Sequence, residues 1–367
     1  MAIASPILRR RDYALVALSR WLAPLLRGFG EIEFDLIESR LRDVVVRAPV
    51  FVTGLARSGT TTVLTLLSRA DGVATHRYRD FPFLATPVLW NVLQDWLGGD
   101  VGTATERPHR DRIRITRESP EAFEEPIWQA FFPESHDPAR CHVLGPDIHN
   151  PAFEKFFVAH LRKILWLRGG VRYLSKGNYN VARIGYLARL FPDARFVIPV
   201  RSPATQVSSL VRQHALFCRY AAEDRRVGRY LASAGHYEFG PQRRPINLDP
   251  ERAGEIESAW HEGDELRGYA RQWAAVYAHV DRLRREYPEL ERRILVLRYE
   301  DLCARPDFEI RRLLEFCGLA DSEGRVAAAA GEVAAPAESG HESEVVNRVW
   351  NEVAPVAKRF GYRASER

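Results

Sequence analysis

Cysteine and lysine are scarce in this chain. Its 367 residues hold four cysteines, Cys141, Cys218, Cys303 and Cys317, none in a C-x-x-C pair and none beside a histidine cluster. That distribution argues against a disulfide framework or a bound zinc and suits the reduced thiols of a cytoplasmic protein. Lysine occurs only at Lys155, Lys163, Lys176 and Lys358, so 49 of the 53 basic residues are arginine. Arginine favours planar, bidentate contact with phosphate or sulfate. No long basic tract stands apart from acidic neighbours and the net charge is only +5. An anionic small ligand fits that balance better than nucleic acid. Long apolar runs are missing too. The stretch from Tyr13 to Leu26 is too short to span a bilayer, Arg20 interrupts it, and no small-residue cleavage site follows it. With Arg9, Arg10 and Arg11 ahead of it and Trp21 and Leu25 on it, the segment has two readings: a helix in peripheral contact with a membrane surface, or a helix packed on the main domain.

The composition is that of a globular chain, 46% hydrophobic and 28% charged. A chain of this length buries enough surface to need no covalent or metal staple. Residues 1–46 read as an N-terminal helical segment in which Pro24 introduces a kink. Beyond it strands and helices alternate. Strands are expected at 48–53, around 73–78, at 172–176, 195–200 and 294–299. Helices are expected at 59–70, 152–168, 181–191, after Pro203, at 258–287, 307–317 and 343–359. Residues 221–256 read as polar and irregular, and 320–340 as loose. The pattern predicts an α/β chain, three layers around a mainly parallel sheet with an additional helical cover, as one domain over 47–367 with helical insertions at about 80–170 and 221–290. Ligands of such sheets sit at the carboxyl ends of the strands.

The first strand end carries Gly54-Leu55-Ala56-Arg57-Ser58-Gly59-Thr60-Thr61. A glycine-bounded loop between a strand and a helix start is a phosphate cradle, built from inward N–H groups and the helix dipole. The G-x-x-x-x-G spacing is that of a nucleotide-binding P-loop, but Thr60 stands where such a loop has lysine. Other strand ends carry Lys176 and Arg201. A magnesium-dependent kinase or NTPase, the alternative reading, needs a carboxylate at a strand end to hold its metal. Val200 is followed by Arg201 and Leu297 by Arg298, so group transfer without an obligatory metal is expected.

These elements together resemble the sulfotransferases that use 3′-phosphoadenosine 5′-phosphosulfate, in particular the bacterial branch related to tyrosylprotein sulfotransferases. Residues 54–61 look like that family's 5′-phosphosulfate loop, and Arg201-Ser202-Pro203 with Ser209 eight residues on looks like its 3′-phosphate site. Leu174-Ser175-Lys176-Gly177-Asn178, Leu190 to Phe196, Arg298 to Leu302 and Leu313 to Leu319 follow in the family's order. The resemblance implies that Arg57, Ser58, Gly59, Thr60, Thr61 and Thr62 hold the 5′ end of the donor, that Lys176 bridges the departing oxygen and the sulfuryl group, and that Arg201 and Ser209 clamp the 3′-phosphate. Arg57 stands where many relatives have lysine. Arginine stays protonated, so it stabilises the leaving phosphate electrostatically and donates no proton.

An acceptor hydroxyl needs a base. Relatives place an acidic one in the region of His76-Arg77-Tyr78-Arg79-Asp80, where Asp80 is the first candidate and His76 the second. The competing reading of Asp80 is an ion pair with Arg77 or Arg79. A second cluster, Arg107-Pro108-His109-Arg110-Asp111 followed by Ser119-Pro120-Glu121 and Glu124-Glu125, resembles patterns of bacterial members and implies that His109, Asp111 and Glu125 line the acceptor site. The competing reading is a solvated helix face with Ser119 as N-cap. For the 3′-phosphate site, Ser208 is the alternative to Ser209 if the helix register is off by one. The 221–256 insert, with His236-Tyr237-Glu238, is expected to shape specificity.

Overall fold

The computed structural model describes residues 10–98, 104–107, 109, 113–333 and 343–364. Its centre is a sheet of five parallel strands in the order β2-β5-β1-β6-β7. These are β1 (Val50–Val52), β2 (Val73–Ala74), β5 (Arg172–Lys176), β6 (Arg195–Val200) and β7 (Ile294–Arg298), while β3 (Thr105–Glu106) and β4 (Arg114–Ile115) form a separate two-stranded ribbon. β1 lies in the middle. Val52 is in register with Lys176 on one side and Val197 on the other, and Val200 pairs with Arg298. The ends of β1, β5, β6 and β7 therefore share one rim.

Side chains alternate across this sheet with period two. Phe51, Tyr173, Phe196, Ile198 and Ile294 enter the larger core on one face. Val50, Val52, Leu174, Val197, Leu295 and Leu297 enter the smaller core on the other. Two helical layers cover the two faces. α1 (Arg10–Leu41), α2 (Thr60–Leu67), α3 (Pro87–Trp96), α4 (Glu125–Phe131), α5 (Pro151–Arg168), α6 (Ile184–Leu190) and α7 (Pro203–Glu223) come first in the chain. α8 (Arg226–Ser233), α9 (Pro250–His261), α10 (Glu265–Glu286), α11 (Pro288–Glu291), α12 (Tyr299–Ala304), α13 (Pro306–Cys317), α14 (Arg325–Ala328) and α15 (Ser343–Ala357) follow. Helices α5, α7, α10 and α15 supply the larger core, and α2, α12 and α13 the smaller one.

Two local expectations change. α1 spans Arg10–Leu41 as one helix, as expected of a helical N-terminal segment. The long helix expected over 258–287 is two helices, because Gly263 takes a left-handed φ of 78° and Asp264 restarts the chain by accepting the Arg267 N–H at 3.0 Å. The insert 221–256 is not irregular. It contains α8 and the start of α9, and Asp249 caps α9 through the N–H groups of Glu251 and Arg252. α1 packs against α5 and α8 yet leaves Leu18, Trp21, Leu25, Phe29 and Leu36 exposed. Among the described residues no helix is long and apolar enough to cross a membrane.

Candidate active site

The loop after β1 is shaped for an anion. Gly54, Arg57 and Gly59 adopt left-handed φ values of 141°, 69° and 103°. At Gly59 any side chain is excluded: a Cβ there would stand 2.3 Å from the Tyr299 ring. α2 starts immediately after, with no side-chain cap and no acidic residue in its first turn. Its first backbone bond runs from Val63 N–H to Gly59 O at 3.1 Å, which leaves the N–H groups of Thr60, Thr61 and Thr62 without intrahelical partners. Gln206 pins the loop from behind. Its Nε2 donates to Ala56 O at 3.0 Å and Leu55 O at 3.3 Å, and its Oε1 accepts from Trp273 Nε1 at 3.0 Å. Ser58 is buried beneath the loop.

The loop is tied to the β6–α7 turn. Arg57 Nε donates to Ser209 Oγ at 3.0 Å, so Ser209 is the serine of α7 that faces the loop. Arg201 directs Nη1 at Arg57 O, 3.5 Å away, and its guanidinium lies 5.5 Å from the centre of the Tyr299 ring. Its Nε is buried without a hydrogen-bond partner. Burial pushes the Arg201 pKa down and the Arg57 charge adds to that push, while Tyr299 and Glu300 oppose it. A half-buried cation left partly uncompensated beside an uncapped helix start is a site that an anion completes. Glu300 is already engaged, accepting from Ser202 N and the Tyr362 hydroxyl.

Lys176 extends this rim from the end of β5. Its Nζ donates to Thr61 Oγ1 at 3.2 Å and Glu121 Oε1 at 3.3 Å. Arg107 reaches the same Thr61 oxygen at 3.4 Å and lies 3.9 Å from Glu121 Oε2, and the Tyr78 hydroxyl donates to that oxygen at 2.5 Å. Glu121 reaches this position because residues 117–121 run antiparallel to 76–79: Glu121 N–H bonds His76 O, and Tyr78 N–H bonds Ser119 O. Burial by itself would raise the Glu121 pKa. Lys176, Arg107 and the Tyr78 hydroxyl overcome burial and hold it far below the usual range. Among the described residues, no group of three or more His, Cys, Asp or Glu side chains converges in the manner of a metal site.

The structure sets Asp80 and His76 apart from this group. Asp80 is fully buried. Arg168 and Asn91 donate to its Oδ1, while Arg77 N–H donates to Oδ2 at 2.8 Å and His76 Nδ1 lies 3.3 Å from that oxygen. His76 is equally buried and meets His160 across 3.0 Å. Against the desolvation that burial brings, His76 and Arg168 drive the Asp80 pKa well down. None of these partners is Lys176, Thr61 or another group of the rim, so the expectation of Asp80 as base gives way to an ion pair. Its main partner is Arg168, where the sequence offered Arg77 and Arg79.

The acidic segment also differs from a solvated helix face. Glu121, Glu124 and Glu125 are all buried. Ser119 Oγ accepts from Thr116 N and does not cap α4. Glu125 is held by both Nη atoms of Arg183, at 2.7 and 2.8 Å, and by His136 Nε2 at 2.6 Å. Glu124 accepts from the Tyr173 hydroxyl and Asn180. His109 lies against α7, its Nδ1 3.1 Å from Gln213 Oε1, with Phe217 and Phe239 around the ring. Asp111 lies outside the described residues. Sequence reasoning passes over Glu121, Arg107 and Tyr78 as site residues. The available signal is position: each sits within a few residues of a chosen candidate, but only the 76–79/117–121 pairing says which of them turns toward Lys176.

The model of the sulfotransferase family matches residues 49–243 and 252–323, well over half of the chain. A sulfotransferase crystal structure from Mycobacterium avium is similar over 91% of this chain and 83% of its own, at 16% identity and a TM-score of 0.51. Another, from Mycobacterium tuberculosis H37Rv, covers 88% of this chain and 81% of its own at 15% identity and a TM-score of 0.46. No curated protein matches the sequence. At such identity the Mycobacterium avium structure speaks to the fold alone, a helix-covered parallel sheet.

Proposed function

The chain belongs to the sulfotransferase family, and we propose that it transfers a sulfuryl group from 3′-phosphoadenosine 5′-phosphosulfate to a hydroxyl-bearing acceptor. The observation that carries this reading is the join between two anion sites: the uncapped start of α2 with Arg57, and Arg201 with Ser209, linked by the 3.0 Å Arg57–Ser209 bond. A ligand with phosphate at both ends suits such a pair. The loop amides, Arg57, Thr60 and Thr61 take the 5′ end, where charge develops on the leaving phosphate. Arg201 and Ser209 take the 3′-phosphate and discriminate against nucleotides that lack it.

The donor supplies SO₃: the acceptor oxygen bonds sulfur, the bridging S–O bond breaks toward the 5′-phosphate, and the acceptor's proton passes to Glu121. Lys176 sits between Glu121 and Thr61. Drawn toward an anion on the loop, it leaves Glu121 less compensated, and the proton affinity of the carboxylate rises where an acceptor needs it. Asp80, His76 and Arg168 act through position. They fix the backbone of 76–80, which carries Tyr78 and anchors Glu121.

Calorimetric titration with adenosine 3′,5′-bisphosphate and with AMP, followed by incubation with ³⁵S-labelled donor and a cell extract, tests the proposal. The bisphosphate binds more tightly and label enters an acceptor. Equal affinity for the two nucleotides together with no transfer refutes it.

A further inference from the structure

Beside Lys176 a narrow cleft opens between the turn that follows β5 and the loop that follows α8. The turn contributes Gly177 and Asn178. The loop contributes Gly235, His236 and Glu238, and the start of α4 closes the side. The loop is pressed onto that helix: Gly235 has a left-handed φ of 74°, and a Cβ there would stand 2.4 Å from Glu125 Cγ. The cleft's polar atoms are unevenly satisfied. The carboxylates of Glu124 and Glu125 are matched by the partners given above. Glu238 is only 8% exposed. Its Oε1 accepts from Asn178 Nδ2 at 2.7 Å, while Oε2 faces His236 Nδ1 at 3.5 Å and completes no hydrogen bond. The same 2.7 Å bond fixes the Asn178 amide with its nitrogen toward Glu238. It thereby turns Oδ1 away, and Oδ1 is also buried without a partner.

Two buried acceptor oxygens, Glu238 Oε2 with only its 3.5 Å ion pair to His236 and Asn178 Oδ1 with no hydrogen-bond donor, belong to residues on the two sides of a cleft that starts at Lys176, and they specify what should enter. Buried acceptors of this kind cost free energy until a donor reaches them. We propose that this cleft is the acceptor subsite and that it takes the polyhydroxylated edge of a sugar, one hydroxyl toward Lys176 and Glu121 and a neighbouring hydroxyl entering the cleft to donate to Glu238 Oε2 or Asn178 Oδ1. A phenol or a fatty alcohol has one hydroxyl and leaves both oxygens unmet. An ammonium group would meet Glu238 but would be repelled by Lys176 at the reacting end. The cavity, about 20 Å³, accommodates roughly one water-sized group, so a sugar presents an edge to it and keeps the rest of the ring outside. The assignment rests on the sulfotransferase reading.

The test uses the full chain, labelled donor and four acceptor sets: methyl glycosides with disaccharides, simple phenols, long-chain alcohols, and primary amines. Label moves to the sugars. Glu238→Gln replaces an acceptor oxygen by a donor NH₂ at nearly constant shape. It raises KM for the sugar about tenfold or more, with kcat within a few-fold and bisphosphate affinity unchanged. Transfer to phenols, fatty alcohols or amines in preference to sugars overturns the assignment and leaves the transfer reading standing, as does an unaltered KM in a folded Glu238→Gln variant. If that variant does not fold, the wild-type acceptor panel decides. Failure of the bisphosphate to bind, with no transfer to any set, overturns both.

Discussion

Arg57 Nε and Ser209 Oγ, 152 positions apart in sequence, meet across 3.0 Å. The contact joins the loop after β1 to the helix after β6, so a ligand that reorders one element reorders the other. Arg201, one residue beyond β6, completes the arrangement with a buried Nε that has no partner.

Arg201→Ala is expected to weaken adenosine 3′,5′-bisphosphate binding by roughly 10- to 100-fold, the range for losing a hydrogen bond to a charged group, and to alter AMP binding far less. Ser209→Ala costs less, roughly three- to tenfold. Calorimetry with the two nucleotides measures both. An equal loss for AMP would assign Arg201 to the 5′ end instead.

Glu121 and Asp80 are expected to separate in their effects. Glu121→Gln lowers kcat by roughly 10²–10⁴, the usual worth of a positioned proton acceptor, and keeps bisphosphate binding. Asp80→Asn strips the buried partner from Arg168 and costs about 3–5 kcal/mol of stability, while the fraction that remains folded keeps most of its kcat. Steady-state rates beside denaturant melts distinguish the two, and a large kcat loss in a stably folded Asp80→Asn protein would restore Asp80 as the base.

Two glycines predict opposite outcomes. Gly59→Ala forces a methyl into the Tyr299 ring at a φ of 103°, so it abolishes nucleotide binding or folding. Gly254 is exposed within α9, and a methyl there would meet nothing within 4 Å. Its replacement by alanine gains about 0.5–1 kcal/mol. Thermal melts of both variants check the contrast.

Acid is expected to destabilise the fold in two successive windows. Burial lowers the pKa of His142 and of His279 from 6.5 to about 4. Between those values the unfolded chain takes up protons that the native one refuses, so stability falls as pH drops from 6.5 toward 4. Glu125 and Glu238 are held at about 2 against a usual 4.5: burial pushes each up, but Arg183 and His136 for the first, and His236 and Asn178 for the second, pull it further down. Their contribution is present above 4.5 and is lost as pH falls toward 2. Melting temperature measured across pH 7 to 3 should decline throughout, and a flat profile from 7 to 4 would contradict the histidine assignment.

What the sequence discloses follows from the range of each interaction. β1, β6 and β7 are runs of apolar, largely β-branched or aromatic residues bounded by turns, and local pattern finds them within a residue or two. The loop of 54–59 is written in its glycines. Asp80 misleads because a carboxylate amid arginines looks the same whether it faces a substrate or a buried Arg168 from a helix 88 positions on. Glu121 escapes notice for the converse reason: its neighbours Lys176 and Thr61 lie 55 and about 60 residues away in sequence, and no local periodicity reports that meeting. The break between α9 and α10 is legible in Gly263-Asp264, but the apolar stripe on either side outweighs it.

The contact of Gly235 with Glu125 sets a limit on redesign. Glu121 on the donor side and Glu125 under the loop belong to one five-residue segment, so the part that selects a partner and the part that accepts its proton share a single mount. Exchanging residues 234–238 for a foreign loop while keeping a glycine at 235 leaves that mount in place. An exchange that brings a side chain to 235 displaces Glu125, and the disturbance passes along the backbone to Lys176's partner. Swapping preferences in this protein is therefore a question of which loops can be grafted without leaning harder on α4.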